Sequence, residues 1–291
     1  MSGMNMTKVW KCRDKSIGLS EPILMGVVNV TPDSFSDGGQ FFHTDKAIQQ
    51  AEQLFQDGAT VIDIGGESSR PGSVSVSPEE QIRRVVPVIK GLQKKYPDAA
   101  ISIDTTSSKV ARAAVAAGAC IINDISGFTH DAAMTLLARE TGAGIVIMHM
   151  QGKPSNMQDN PQYKNCVADI YDWLQKRIQA LTKMGIRKES IVVDPGIGFG
   201  KKLSHNLEIL QRLEHFISLG TPVLIGASRK QFIGISGRAQ SPQNRLPGSL
   251  AALTAAVLHG AAILRVHDVA ESLQAARVAA AIRTPAQWEN E

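Results

Sequence analysis

Eight apolar runs in this chain each end on side chains able to bind or catalyse. They deliver Asn29, Asp63 with Glu67, Asp104, Asn123 with Asp124, His149, Asp194, Ser228 with Arg229 and Lys230, and Arg265 with His267. One polar residue closing a strand is an ordinary strand end. Eight in a row point to a common cavity, because burying so many carboxylates and amides is costly unless a polar ligand satisfies them. Two chemistries divide the set. Asp104, Asn123 and Asp194, with Lys230, suit a flat heterocycle bearing several N–H donors and ring acceptors. A carboxylate takes two parallel N–H bonds from an amino-pyrimidinone edge, much as acidic side chains read bases. Arg265 and His267, with Ser69 and Arg70, suit phosphate oxygens. Asn29 offers an oxygen suited to Mg²⁺, which takes few protein ligands and completes its shell with phosphate and water.

Two other patterns lead nowhere. Gly196-Ile197-Gly198-Phe199-Gly200-Lys201 looks like a phosphate loop, but Walker spacing requires glycine at Pro195 and Rossmann spacing requires one at Lys201. The expected role of these glycines is to let the backbone approach a flat ligand. His205 and His215 sit at no useful spacing and read as solvated helix residues.

The elements that position these groups follow from the pattern around them. Ile23 to Val30 has the composition of a strand buried on both faces, and Thr31-Pro32-Asp33-Ser34 breaks it into a polar loop closed by Asp37-Gly38-Gly39. Thr44-Asp45 is placed to cap a helix whose apolar face is Ala47, Ile48, Ala51, Leu54 and Phe55. Strand-like runs recur at 60–66, 100–104, 120–124, 144–148, 191–194, 222–225 and 262–266, with helical periodicity between them. Six of the seven helix-to-strand junctions carry a glycine, where a helix end favours a left-handed residue. Strands separated by helices mean a parallel sheet, and eight of them close into an α/β (β/α)8 TIM barrel. An open doubly wound sheet has no special reason to stop at eight.

We expect residues 1–22 to form an extension capping the barrel bottom as a short hairpin, and 23–291 to form the barrel as one domain. The polar linkers 68–80, 151–162 and 237–247 are expected to follow strands and so lie on the top face, where barrel sites are built. The Ala-rich segments 246–258 and 270–282 allow close helix packing, on the barrel or in a homodimer.

Composition restricts the function further. In a chain of 291 residues, 43% apolar and 20% charged residues describe an ordinary globular protein. The formal charge of +4 and the lack of a basic block interleaved with aromatics speak against nucleic-acid binding. Three scattered cysteines, Cys12, Cys120 and Cys166, suggest a reducing compartment. Neither a signal peptide nor a membrane-spanning run is read, so a cytoplasmic location is expected.

With these residues in view, the chain resembles the dihydropteroate synthase family over nearly its whole length from Ile23 onward. The motifs that carry the likeness are NVTPDSFSDGG from Asn29, DIGGESSRPG from Asp63, SIDT from Ser102, NDISG from Asn123, DPGIGFGK from Asp194, SRK from Ser228 and RVHDV from Arg265. The resemblance implies a homodimeric barrel that joins 6-hydroxymethyl-7,8-dihydropterin diphosphate to 4-aminobenzoate and releases diphosphate, with Mg²⁺. It implies that Asp104, Asn123, Asp194 and Lys230 bind the pterin, Asn29 the metal, and Arg265 and His267 the diphosphate. Asp33, Ser34, Phe35, Arg70 and Pro71, with Phe199, correspond to its mobile aminobenzoate region. Two positions depart from the family pattern. Ser69 stands where threonine is common, and Gln231 where serine follows the SRK lysine, so backbone N–H groups at the start of the next helix are left to hold the aminobenzoate carboxylate.

The expected chemistry is substitution at the pterin methylene with substantial carbon–oxygen cleavage before the amine attacks. Arg265, His267 and Mg²⁺ would stabilise the departing diphosphate, and Asp33, Asp104 and Asp194 would offset positive charge on the pterin. Three rivals remain at this point. A pterin-dependent methyltransferase would share the barrel, a Schiff-base aldolase would use Lys230 as nucleophile, and a pterin-binding protein would catalyse nothing.

Overall fold

The structure is a computed structural model that describes residues 9–31, 40–68, 72–73, 75–239 and 241–287, with the side chains of residues 40–43 outside that description. Strands β1 (Val9–Cys12) and β2 (Lys15–Gly18) form an antiparallel hairpin. Eight parallel strands follow: β3 (Ile23–Asn29), β4 (Val61–Gly65), β5 (Ala100–Asp104), β6 (Ile121–Asp124), β7 (Gly144–Met148), β8 (Ile191–Asp194), β9 (Leu224–Ile225) and β10 (Ile263–Val266). Their order in the sheet is β8-β7-β6-β5-β4-β3-β10-β9. A parallel bridge between Val193 and Val223 joins the two end strands, so the sheet curls into the expected barrel.

Helices α1 (Gln40–Gln56), α2 (Pro78–Lys95), α3 (Ser108–Ala117), α4 (Ala132–Thr141) and α5 (Cys166–Lys183) connect β3 through β8. The last two connections each carry a pair: α6 (Leu203–Gln211) and α7 (Glu214–Ile217) before β9, then α8 (Gln231–Ser236) and α9 (Leu246–Leu258) before β10. The chain closes with α10 (Val269–Arg283). Two expectations need correcting. α1 begins at Gln40, ahead of the cap expected at Thr44-Asp45, and the linker 237–247 follows α8 rather than a strand. The six junction glycines all adopt positive φ, between 66° and 122°, as helix termination there requires.

The alternation of side chains along each strand sorts the core into two layers. Outward residues such as Leu24, Ile62, Ile103, Ile122, Ile147 and Val193 pack against the helices. Inward residues near the strand starts, among them Met25, Val61, Ile121, Val146 and Ile263, form a second cluster with Trp10, Cys12, Ile17 and Leu19 of the hairpin. The hairpin is therefore the floor of the barrel. Trp10 is fully buried there, and its Nε1 donates to the Ser190 carbonyl at 2.9 Å. Arg13 extends the seal, donating to the carbonyls of Val115 and Ala119. With the bottom closed by apolar groups, polar inward side chains collect at the opposite end.

Candidate active site

Register brings the strand-end residues together. Asn29 pairs with Gly65, Gly65 with Asp104, and Asp104 with Asn123, across β3 to β6. A Cβ on Gly65 would stand 3.6 Å from Asn29 Oδ1 and 3.7 Å from Asp104 Cβ, so the missing side chain leaves these neighbours room to converge. Two residues before Gly65, on the same face and one layer deeper, lies Asp63.

Asp63 is fully buried, and its Oδ2 accepts hydrogen bonds from Asn123 Nδ2 at 2.9 Å and Arg265 Nε at 2.7 Å. An Nη of Arg265 donates to Asp104 Oδ2 at 2.8 Å. Because Asp63 takes the Asn123 amino group, the Asn123 carbonyl oxygen remains as an acceptor. On the far wall, Asp194 Oδ1 accepts from the Gly196 N–H at 2.7 Å. Lys230 Nζ donates to the Ile197 carbonyl and lies 4.5 Å from the centroid of the Phe199 ring. His267 Nδ1 is 3.0 Å from Ser228 Oγ, which also meets the His267 N–H. Arg265, expected to bind phosphate, touches Asp104, expected to bind the heterocycle, so the two chemistries meet at this residue.

Burial sets the ionisation of these groups. It raises Asp104 to about 7, the Arg265 charge pulling the other way and Asp63 adding to the rise. Asp194 is also raised by burial, against the opposing charge of Lys230. Burial lowers Lys230 to about 8, with Asp194 opposing. For Arg265 burial pulls downward, but the Asp63 and Asp104 carboxylates outweigh it and hold the guanidinium above its ordinary value.

Four strand-end residues are engaged by loop and helix-end groups instead of a common cavity, which corrects the expectation that all converge. Asp124 caps the turn after β6, accepting from the Ser126 N–H and hydroxyl and the Phe128 N–H. Glu67 accepts from the Val76 N–H and Gln81 Nε2. Arg229 pairs with Asp268, and His149 contacts the buried Lys201. Lys201 is lowered by burial to about 7, and His149, lowered to about 2 by burial and the Lys201 charge, is neutral.

The glycine loop also differs from expectation. A Cβ at Gly196 would stand 2.0 Å from the His149 carbonyl oxygen, and one at Gly200 2.3 Å from that of Gln151. These two glycines admit the backbone after β7, not a ligand; Gly198 alone faces a site residue, the Lys230 side chain. His205 accepts from the Lys202 N–H and so helps start α6, whereas His215 is exposed as expected. The six residues of α8 put little dipole behind the anion site expected at its first turn. Asp33, Ser34, Phe35, Ser69, Arg70 and Pro71 lie outside the described residues.

Two residues outside the expected binding sets matter here. Asp63 is legible in the sequence as an inward carboxylate in an apolar strand, two residues before Gly65. Lys201 ends a glycine run that fits neither phosphate-loop spacing, and only the fold shows what it touches.

The donor set fits Mg²⁺. Among the described residues no cluster of three His, Cys, Asp or Glu side chains could hold a metal alone. A single amide oxygen beside a carboxylate suits an ion that takes the rest of its shell from phosphate and water.

The sequence matches a family described as pterin binding enzyme over residues 25–267. It is 46% identical over 257 residues to dihydropteroate synthase of Haemophilus influenzae, covering 88% of this chain and 92% of the relative. Among solved structures, it is similar to the Xanthomonas albilineans dihydropteroate synthase with 4-aminobenzoic acid, with a TM-score of 0.89 and 40% identity, covering 95% of this chain and 98% of that one. The same organism's enzyme in complex with 7,8-dihydropteroate has a TM-score of 0.84 and 36% identity, covering 95% and 99%.

Proposed function

The chain belongs to the pterin-binding enzyme family and functions as a dihydropteroate synthase, and from that premise we propose how its residues divide the work. Asp104, Asn123, Asp194 and Lys230 hold the pterin. Ser69, Arg265 and His267 hold the diphosphate, while Ser34, Phe35, Arg70, Pro71 and Phe199 receive 4-aminobenzoate. The observation that carries this reading is the buried network in which Asp63 orients both Asn123 and Arg265, and Arg265 reaches on to Asp104. It joins acceptors for a heterocycle to a donor for phosphate, as a substrate containing both groups requires.

The reaction breaks the bond between the pterin methylene carbon and the diphosphate oxygen, whose electron pair leaves with diphosphate. The arylamine nitrogen forms the new bond to that carbon and then loses a proton. Arg265 and His267 stabilise the leaving oxygens, and Asp104, Asp194 and Asp33 offset positive charge developing on the pterin. Arylamines are weak bases that need little activation, so no strong general base is required. The two long loops after β3 and β4 would serve to exclude water, which competes as nucleophile. Asn29 would be the protein ligand of Mg²⁺, which when bound neutralises charge on the diphosphate. Lys230, with its amine directed to a carbonyl and a ring face, is suited to donating hydrogen bonds, so borohydride with a carbonyl substrate should trap nothing.

Exposed Leu258 on α9 and Val278 and Ile282 on α10, two adjacent helices, support a homodimer through this face. The three free, buried cysteines and the lack, among the described residues, of a helix long and apolar enough to cross a membrane support a cytoplasmic location.

Diphosphate release is the direct test. Release dependent on both pterin diphosphate and 4-aminobenzoate supports the assignment, and no release with both present refutes it. Crystals given pterin diphosphate alone should show cleavage if the carbon–oxygen bond breaks first; an intact substrate would favour a concerted step.

A further inference from the structure

Lys201 has no part in the chemistry above, yet the residue is buried beside the site at 3% exposure. Nζ lies 2.9 Å from the Phe199 carbonyl oxygen, 3.1 Å from His149 Nδ1 and 3.3 Å from the His149 carbonyl oxygen. Three acceptors match the three N–H bonds of an ammonium. Without its third proton, the amine still donates to both carbonyls, and its lone pair accepts an Nδ1–H from His149. The same contacts persist in either protonation state.

The loop from Pro195 to Gly200 needs such a tie. Gly196, Gly198 and Gly200 all have positive φ, at 75°, 80° and 60°, and three glycines in five residues give little intrinsic stiffness. Gln158 Nε2 holds the Gly198 carbonyl at 2.6 Å, and the Tyr163 hydroxyl holds that of Gly200 at 2.8 Å. Asn206 Oδ1 receives the Gly198 N–H at 2.7 Å. Phe199 lies between these anchors, and the bond to its own carbonyl comes from Lys201. Its ring in turn packs under the Lys230 ammonium.

We infer that Lys201 is a positioning residue for the aminobenzoate half of the site: it ties the Phe199 backbone to the end of β7 and so fixes the Phe199 ring against Lys230. The Asp194 end of the loop has a further tie that does not involve the Lys201 amine, because the Gly196 N–H is bonded to Asp194 Oδ1 at 2.7 Å. The inference rests on the proposed role of Phe199.

Steady-state kinetics of the full-length enzyme, varying each substrate in turn, test it. Lys201→Met keeps the length of the side chain and removes its donors. The KM for 4-aminobenzoate should rise about tenfold or more, since small misplacements at a site are amplified in rate and affinity, while the KM for pterin diphosphate stays within a factor of about three. Both constants unchanged, or both raised by the same factor, would overturn the inference. If Lys201→Met does not fold, Lys201→Arg decides. A planar guanidinium cannot set one nitrogen among all three acceptors, so the aminobenzoate KM should rise several-fold with the pterin KM unmoved, and parental values for both would refute the tie. Phe199→Ala separates this inference from the reading beneath it. If that variant leaves the aminobenzoate KM unmoved, the role of Phe199 falls and the inference with it. If it raises that KM and the Lys201 variants do not, the inference alone falls.

Discussion

Asp63 keeps its carboxylate at zero exposure, and one of its oxygens takes hydrogen bonds from both Asn123 and Arg265. That geometry fixes which face of the Asn123 amide a ligand meets and where the guanidinium lies. Asp63→Asn keeps the shape but removes the charge. We expect it to weaken pterin binding by about 1–3 kcal/mol, the usual range for disturbing a buried charged hydrogen bond. Calorimetric titration with a non-phosphorylated pterin reads this directly, and an unchanged affinity would show that the network orients nothing. The ionisation of the neighbouring groups gives a second prediction. Asp104 must be ionised to accept the pterin N–H bonds, and its pKa is raised to about 7. Binding should therefore tighten as pH rises through about 7. Lys230 is lowered to about 8, so binding should weaken again as that ammonium loses its proton. A non-phosphorylated pterin keeps the substrate's own phosphate titration out of the profile. In Asp104→Asn the acidic limb should disappear; its persistence would assign that limb to another group.

The hairpin and the glycine loop act as elements. The eight-stranded barrel has an apolar lower half that would meet water without the β1–β2 hairpin, and Trp10 is the largest side chain inserted into it. Trp10→Ala should destabilise the fold by about 3–5 kcal/mol, the range for removing a buried aromatic ring. Equilibrium urea unfolding measures this, and KM values taken well below the melting temperature should stay near parental. A loss under about 1 kcal/mol would mean the hairpin does not seal the barrel. At the other end of the barrel, Gly196 has φ 75° and its missing Cβ would lie 2.0 Å from a carbonyl oxygen. Gly196→Ala must shift the loop and pull its N–H from Asp194. We expect pterin affinity to fall by about tenfold or more, from the loss of a hydrogen bond to a charged group. Parental affinity in this variant would show that the loop does not hold Asp194.

At the scale of the whole molecule, the open question is its partner. Leu258, Val278 and Ile282 are 38%, 56% and 61% exposed, which is high for large apolar side chains on adjoining helices. In the proposed homodimer this face is covered. Sedimentation should give twice the chain mass for the parent and the single mass for a Val278→Glu, Ile282→Glu double variant. A parent that sediments as a monomer at micromolar concentration would remove the proposal. The barrel top does not include these positions, so a monomeric variant that keeps its activity would also show that each site is complete in one chain.

What the sequence determined by itself was the set of parts. Alternating apolar runs and helical periods, separated by glycines at helix ends, are local signals, because they depend on backbone conformations and burial of near neighbours. They yielded eight strands, a barrel and a floor piece, and they located Asn29, Asp104, Asn123, Asp194, Lys230, Arg265 and His267 at strand ends. Tertiary structure decided which of the polar strand ends face each other. Asp124, Glu67 and Arg229 carry the same residue types as the site but are taken elsewhere, the first two by their own loops and Arg229 by Asp268. Alternation after Asn123 turns Asp124 outward, but no local signal marks the other two. Asp63 and Arg265 stand 202 residues apart and meet because β3 separates their strands in the closed sheet. Lys201 finds His149 across 52 residues for a similar reason, since β7 and β8 are neighbours. Such contacts depend on strand order and register, which are properties of the assembled chain rather than of any segment.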